Sequence, residues 1–252
     1  MKSSQVLKME IDKIDGKSYR LYKNLEGEYD FGSFVLCIDH VQGDPFASPS
    51  RIRVIVDQNI SRFPKEIFDN KIKSIAVADF LTREFHYNIN KYSQKVFGSG
   101  KSGLIAISKC PQEILDRTSI IIDENKIEAR FYVGFPARGR SVLARELEKI
   151  LYNVIPNIVE KTLIYINIDS EKLTSRVTLV EDQEHIRRSL TSRGLVAFVA
   201  NGSILPRESG VSTKALKGGI AFASPKDLEV EFNTKSHGKI RGMGIKDGIT
   251  LI

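Results

Sequence analysis

Tryptophan is absent from this 252-residue chain, and cysteine and histidine are scarce, at two and four. Cys37 and Cys110 stand too far apart in sequence for a zinc or disulfide framework, so both are read as reduced thiols. His40, His86, His185 and His237 fall at no metal-ligand spacing, and no metal site is expected. No segment approaches the roughly 18 apolar residues needed to span a bilayer. The opening Met1-Lys2-Ser3-Ser4-Gln5 lacks the apolar core of a signal peptide. A cytoplasmic chain with no membrane partner is the expectation. No Ser, His and Asp set has a nucleophile-elbow context, so no catalytic residue is assigned.

Acidic residues are missing from two long stretches. Phe85 to Gln112 holds Lys91, Lys95, Lys101 and Lys109, and Ala129 to Arg145 holds Arg130, Arg138, Arg140 and Arg145, with no acid in either. A third block, His185 to Lys226, sets Arg187, Arg188, Arg193, Arg207, Lys214, Lys217 and Lys226 against Glu208 alone. The whole chain carries a net charge of +7, so the remainder is acidic. Such segregation makes surfaces that attract a polyanion if the blocks converge in space, and an ordinary solvated surface if they do not.

The hydrophobic pattern predicts a mixed α/β (α+β) chain. A short N-terminal helix ends near Gly16, and strands cover Phe31 to Val41 and Ser50 to Val56. Pro64 is expected to open a helix through Phe85, followed by strands at Leu104 to Ile107, Ser119 to Ile122 and Lys126 to Phe135. Leu143, Leu147, Ile150, Leu151, Val154 and Ile158 follow a helical rhythm that Pro156 must kink or break. Asn167 to Ser175 is the most linker-like stretch. It divides a first domain, residues 1–168, from a second, residues 169–252, in which nine of the 18 glycines lie. No internal repeat is present.

Several motifs suit anion binding. Gly98-Ser99-Gly100-Lys101-Ser102-Gly103 copies the end of the phosphate-loop pattern, but Lys95 stands where the first glycine belongs, and a strand rather than a helix follows. Its readings are a glycine nest whose amides and Lys101 hold a nucleic-acid phosphate, an ATP site, or a hairpin turn. Phe85, His86, Tyr87, Tyr92 and Phe97 interleave with Lys91 and Lys95, a mixture suited either to stacking single-stranded bases or to a core. Asp44 to Arg53 carries two rigid prolines, the hydroxyls of Ser48 and Ser50, and Arg51 and Arg53 on one strand face, where they meet phosphate or the arginines pair with Asp39 or Asp44. Arg138-Gly139-Arg140 precedes a helix whose dipole favours an anion. The nucleic-acid candidates are therefore Arg51, Arg53, Tyr92, Lys95, Lys101, Ser102, Arg138, Arg140, Arg187, Arg188 and Arg207.

Longer stretches carry a resemblance. They are His40-Val41-Gln42-Gly43-Asp44-Pro45-Phe46-Ala47-Ser48-Pro49-Ser50-Arg51, Gly98 to Gly103, Gly134-Phe135-Pro136-Ala137-Arg138-Gly139-Arg140, Leu195 to Arg207, and Gly242-Met243-Gly244-Ile245. From about Tyr19 to Ile252 the chain resembles the predicted ATPases of the ABC class. It departs at Phe135, where a leucine is expected, and at bulky Lys95-Val96-Phe97. The resemblance implies ATP and magnesium bound by the intact protein, and two nucleotide domains paired head to tail as a homodimer. In that family the P-loop follows a strand like Gly248 to Ile252, so the chain is expected to hold the opening strands of an ABC-type ATPase domain and stop inside a buried parallel strand. Phe232 is a candidate for adenine stacking.

Three function classes follow. The leading one is a single-stranded RNA- or DNA-binding N-terminal module coupled to ATP hydrolysis in the intact protein, the fragment itself being inactive. The others are a self-contained nucleotide-binding enzyme using the Gly98–Lys101 loop, and a dimerisation or protein-interaction module.

Overall fold

Alternation of apolar and polar side chains builds the main sheet. In the computed structural model, which describes residues 1–249, β4 (Ser50–Asp57) buries Ile52, Val54 and Val56 and turns Arg51 and Arg53 to the other face. β7 (Lys126–Val133) lies antiparallel beside it, burying Ile127, Ala129, Phe131 and Val133 while Arg130 and Tyr132 point outward. The register sets Arg51 opposite Tyr132 and Arg53 opposite Arg130. β1 (Lys2–Ser3), β2 (Gly27–Asp30) and β3 (Val35–His40) extend the sheet beyond β4. β5 (Ile105–Ala106) and β6 (Ile120–Ile122) both pair along the far edge of β7.

Helices cover the buried face. α1 (Ser4–Lys13) is capped by the Ser3 hydroxyl and buries Leu7 and Ile11. After a single turn, α2 (Gln58–Ser61), comes α3 (Lys71–Tyr92). It starts seven residues later than the Pro64 signal suggested, because the Asn70 side chain accepts from Ile72 N–H and Lys73 N–H and so caps it. It also runs seven residues past Phe85, where the helix was expected to end. Phe85 itself meets Phe131 of β7 with ring centroids 5.1 Å apart.

β8 (Ala137–Arg138) and β9 (Ser141–Val142) form a small hairpin ahead of α4 (Ala144–Glu148). A π-helical segment, Lys149–Val154, then leads into α5 (Ile155–Leu163). Pro156 has no N–H and crowds the turn before it, and the widened π turn accommodates it without breaking the helix. Asn157 Nδ2 donates to the Asn153 carbonyl oxygen beside this turn, 2.6 Å away.

Two compact units result. One joins Met1–Cys110 to Leu115–Leu173, and the other joins Pro111–Ile114 to the residues from Thr174 on. The stretch that read as a linker instead starts α6 (Ser170–Leu190), where Asp169 accepts from Lys172 N–H at 3.1 Å. In the second unit β10 (Leu195–Ala200), β11 (Glu229–Thr234) and β12 (Gly238–Lys246) form an antiparallel sheet in the order β10-β12-β11. Gly242 to Ile245, one of the stretches that carry the resemblance, lies inside β12. A Cβ at Gly242 would stand 2.1 Å from the Val199 carbonyl oxygen, so only glycine lets the strands approach there. The parallel strand expected at Gly248 to Ile252 lies, from residue 250 on, outside the described residues.

Candidate nucleic-acid interface

Three loops meet at the end of the main sheet where β4 begins and β7 ends. Gln42, 2% exposed, ties the first to the third. Its Oε1 accepts from Ser50 N–H and Phe135 N–H, both at 3.3 Å, and its Nε2 donates to the Asp44 carbonyl at 3.1 Å. Its own N–H donates to the Ser50 hydroxyl. The glycine loop packs between them: Ser99 N–H donates to Ala137, Lys101 N–H to Pro45 and Gly103 N–H to Gly134. A Cβ at Gly134 would stand 1.8 Å from the Lys101 carbonyl oxygen.

The third loop is fixed from behind by Tyr19 and Tyr22, whose hydroxyls donate to the Phe135 and Pro136 carbonyls at 3.1 and 2.7 Å. Burial pushes both phenols well above their ordinary range, so they stay neutral donors. Phe135 is fully buried and meets Tyr22 edge to face at 5.1 Å, which accounts for an aromatic ring at this position. Tyr19 N–H donates to the Arg140 carbonyl at 2.8 Å, so the hairpin that carries Arg138 and Arg140 is anchored by backbone at its turn.

This assembly gathers charge and aromatic surface. Lys101, Arg138 and Arg51 are exposed and, among the described residues, make no ion pair. Arg140 is exposed beside Asp44, its Nε 3.4 Å from the carboxylate. Lys95 is exposed with its ammonium 5.7 Å from the Phe97 ring centroid. Phe46 and Phe97 expose 68% and 69% of their surface, large for rings that no core demands. Phe46 lies against the glycine loop, 3.0 Å from where a Gly100 Cβ would stand.

Several expectations need correction. The glycine loop is neither a P-loop nor an anion nest, because its Ser99, Lys101, Ser102 and Gly103 amides all donate to carbonyls of the protein. Ser102 is committed as well: its hydroxyl donates to the Ser99 carbonyl and accepts from Ala137 N–H. Ser50 is buried on Gln42. Arg53 forms a bidentate pair with Asp39 at 2.7 and 2.9 Å, which favours its charged form and occupies its fork. The helix terminus beyond Arg140 already has a carboxylate, Asp15, which accepts from Ala144 N–H at 2.8 Å. Tyr92 is half-buried, with the Lys91 ammonium 5.3 Å from its ring centroid.

In the second unit, Arg187 and Arg188 both bond Glu184 along α6, and Arg207 is exposed. Phe232 is 1% exposed, packed edge to face on Phe198 at 4.9 Å, with the Arg193 guanidinium 4.3 Å from its centroid. It is core, and offers no face to an adenine. Buried Asp182 accepts from the amides of Lys235, Ser236 and His237 and from His237 Nδ1. Burial alone would raise this carboxyl, but those bonds, that from His237 foremost, hold it below its ordinary range.

The structure also brings in residues that sequence reasoning did not single out. Phe46 and Tyr132 are exposed aromatics on the assembled end of the sheet, and Gln42 is its organiser. For Tyr132 a signal existed in the alternation of Arg130-Phe131-Tyr132-Val133, which sets Arg130 and Tyr132 on one face.

The described residues do not fit an ATP-phosphate site: of their two Gly-Lys-Ser runs, Gly16 and Lys17 donate their amides to the Val142 and Ile14 carbonyls and Lys101 and Ser102 donate theirs to Pro45 and Ser99, and no group of three or more His, Cys, Asp or Glu among them could hold a metal ion. No helix among them is long and apolar enough to cross a membrane. A family model described as the N-terminal region of ATPases of the ABC class matches residues 4–166, and a second, described as a P-loop domain, matches residues 169–252. No curated protein matches the chain. With two thirds of its length covered by the first model and nearly all the remainder by the second, the chain belongs to the ATPases of the ABC class.

Proposed function

We propose that the first unit is the nucleic-acid-binding module of a cytoplasmic ABC-class ATPase, and that it holds a single strand along the rim formed by the three loops. The observation that carries this reading is the convergence of Lys101, Arg138 and Arg140 with the exposed rings of Phe46 and Phe97 on one interlocked assembly. Guanidinium and ammonium groups pair with phosphates, and exposed rings stack on bases regardless of sequence. A duplex hides its bases, so the rings favour a single strand. The family supplies ATP and magnesium chemistry to the intact protein through its P-loop domain, and we propose that two such domains pair. Hydrolysis is then a property of the P-loop domain, and the first unit binds without hydrolysing.

The test is fluorescence anisotropy of the purified chain with a labelled 12-nucleotide single strand and the matching duplex. The strand is expected to bind more tightly than the duplex, and Phe46→Ala with Phe97→Ala is expected to weaken the strand about 30-fold or more. Equal affinity for both forms, or indifference to the two ring deletions, would overturn the reading.

A further inference from the structure

The outward face of the main sheet contains a feature that the rim does not use. Between β5 and β6, which pair with different parts of β7, the far edge leaves a gap, and a cavity of about 490 Å³ opens there. Its walls include Arg51, Arg53, Arg130, Tyr132, Ser108 and Thr118, together with Asp39, whose carboxylate Arg53 neutralises. That volume lies within the range of small-ligand sites, roughly 300–1,000 Å³.

The chemistry of the walls is specific. Tyr132 is 48% exposed, and its ring stands out from the sheet directly opposite Arg51. Arg51 makes no ion pair among the described residues. Arg53 is fixed by Asp39 and by Glu128, 3.5 Å away, and Arg130 bonds Glu128 through Nε at 2.7 Å, its one side-chain bond among the described residues. An arginine has five N–H donors in a planar fork, so the outer edge of Arg130 stays available. Glu128 anchors both: burial works to raise it, but bonds from Lys126 and Arg130 hold it at about 2, so it stays ionised. Thr118 has an exposed hydroxyl that can donate to or accept from a base edge, and the exposed Ser108 hydroxyl, which accepts from the Ser119 hydroxyl at 2.6 Å, can still donate.

We infer that this cavity takes one nucleotide of the bound single strand, its base stacked on Tyr132 and its phosphate paired with Arg51 and the free edge of Arg130. The inference rests on the nucleic-acid reading and adds to it the place where a base leaves the strand and enters the sheet face. Arg51 stands at the start of β4, where the loop region ends, so a strand running along the rim passes the mouth of the cavity.

The test uses the full chain, a 12-nucleotide single strand, and a strand of equal length that lacks bases, with binding read by anisotropy. Tyr132→Ala is expected to weaken the base-bearing strand by about 5- to 150-fold and to leave the abasic strand unaffected. Tyr132→Phe, which keeps the ring, restores the loss. Arg51→Ala is expected to weaken both strands by about tenfold or more. If Tyr132→Ala and Arg51→Ala bind like the native chain while deletion of Phe46 and Phe97 weakens binding, the cavity is not a nucleotide site and the rim reading stands. An equal loss on both strands with Tyr132→Ala overturns the stacking role. No binding by the native chain overturns both readings.

Discussion

Replacing Gln42 with alanine removes one side chain and should loosen the whole loop assembly. Ser50 and Phe135 are each 0% exposed, and both give their N–H to Gln42 Oε1. The Asp44 carbonyl loses its bond from Nε2 as well. A buried donor left without an acceptor costs about 1–3 kcal/mol, so two give about 2–6 kcal/mol. A water entering the vacated space would recover part of this, which places the expected loss at about 2–4 kcal/mol. The assay can be confined to the first unit, because all eight tyrosines lie between Tyr19 and Tyr165 and the chain has no tryptophan. Near-ultraviolet circular dichroism of tyrosine in urea therefore reports that unit alone. With a slope of about 2 kcal/mol/M, the midpoint should fall by about 1–2 M. A midpoint within about 0.2 M of the native value would refute the claim that Gln42 holds the loops together.

Other predictions follow from the same geometry. Gly134→Ala puts a Cβ against the Lys101 carbonyl, backbone that cannot swing aside, and should destabilise the first unit by about 1–3 kcal/mol or more in the same assay while lowering strand affinity. Glu128 has a folded-state pKa of about 2 against an ordinary 4.5, so its contribution is present above about pH 4.5 and is lost as pH falls through 4.5 toward 2. Thermal melts followed by tyrosine should show that loss, and Glu128→Gln should flatten it. Asp182→Ala removes the acceptor for three hairpin amides, so hydrogen exchange at Lys235, Ser236 and His237 should speed up while the first unit is unaffected. Phe232→Ala should cost the second unit about 3–5 kcal/mol, measured by far-ultraviolet circular dichroism in urea, as befits a core residue.

Much of the strand pattern was legible because a half-buried sheet leaves a period of two in sequence, as in Ser50 to Val56 and Lys126 to Val133. The start of α3 was misplaced because Pro64 and Asn70 both signal a helix start, and only the tertiary fold decides that Asn70 caps it. The apparent linker at Asn167 to Ser175 was a capped helix start, whose Asp and Ser composition is shared by loops. Among the motifs, the sequence showed glycines and a lysine at Gly98 to Gly103, but which amides remain free depends on carbonyls 31 to 56 positions away. For Arg53 the sequence left phosphate and Asp39 as alternatives, and for Phe232 it suggested an exposed face, for the same reason: an arginine's partner and an aromatic's burial are set by strand register, as with Asp39 and Phe198. The convergence of two of the three basic blocks, and the cavity beside Tyr132, could be read only once β4 and β7 were paired.

The central claim is that the rim binds a nucleic-acid strand through its phosphates, and its most direct test is the salt dependence of strand affinity for the native chain and for Arg138→Ala with Arg140→Ala. Each phosphate contact to a single strand contributes a slope of about −0.7 in log K against log salt, so Lys95, Lys101, Arg138 and Arg140 together predict about −3. The double variant should be shallower by about 1.4. A native slope near zero, or one that the two substitutions leave unchanged, would contradict the account.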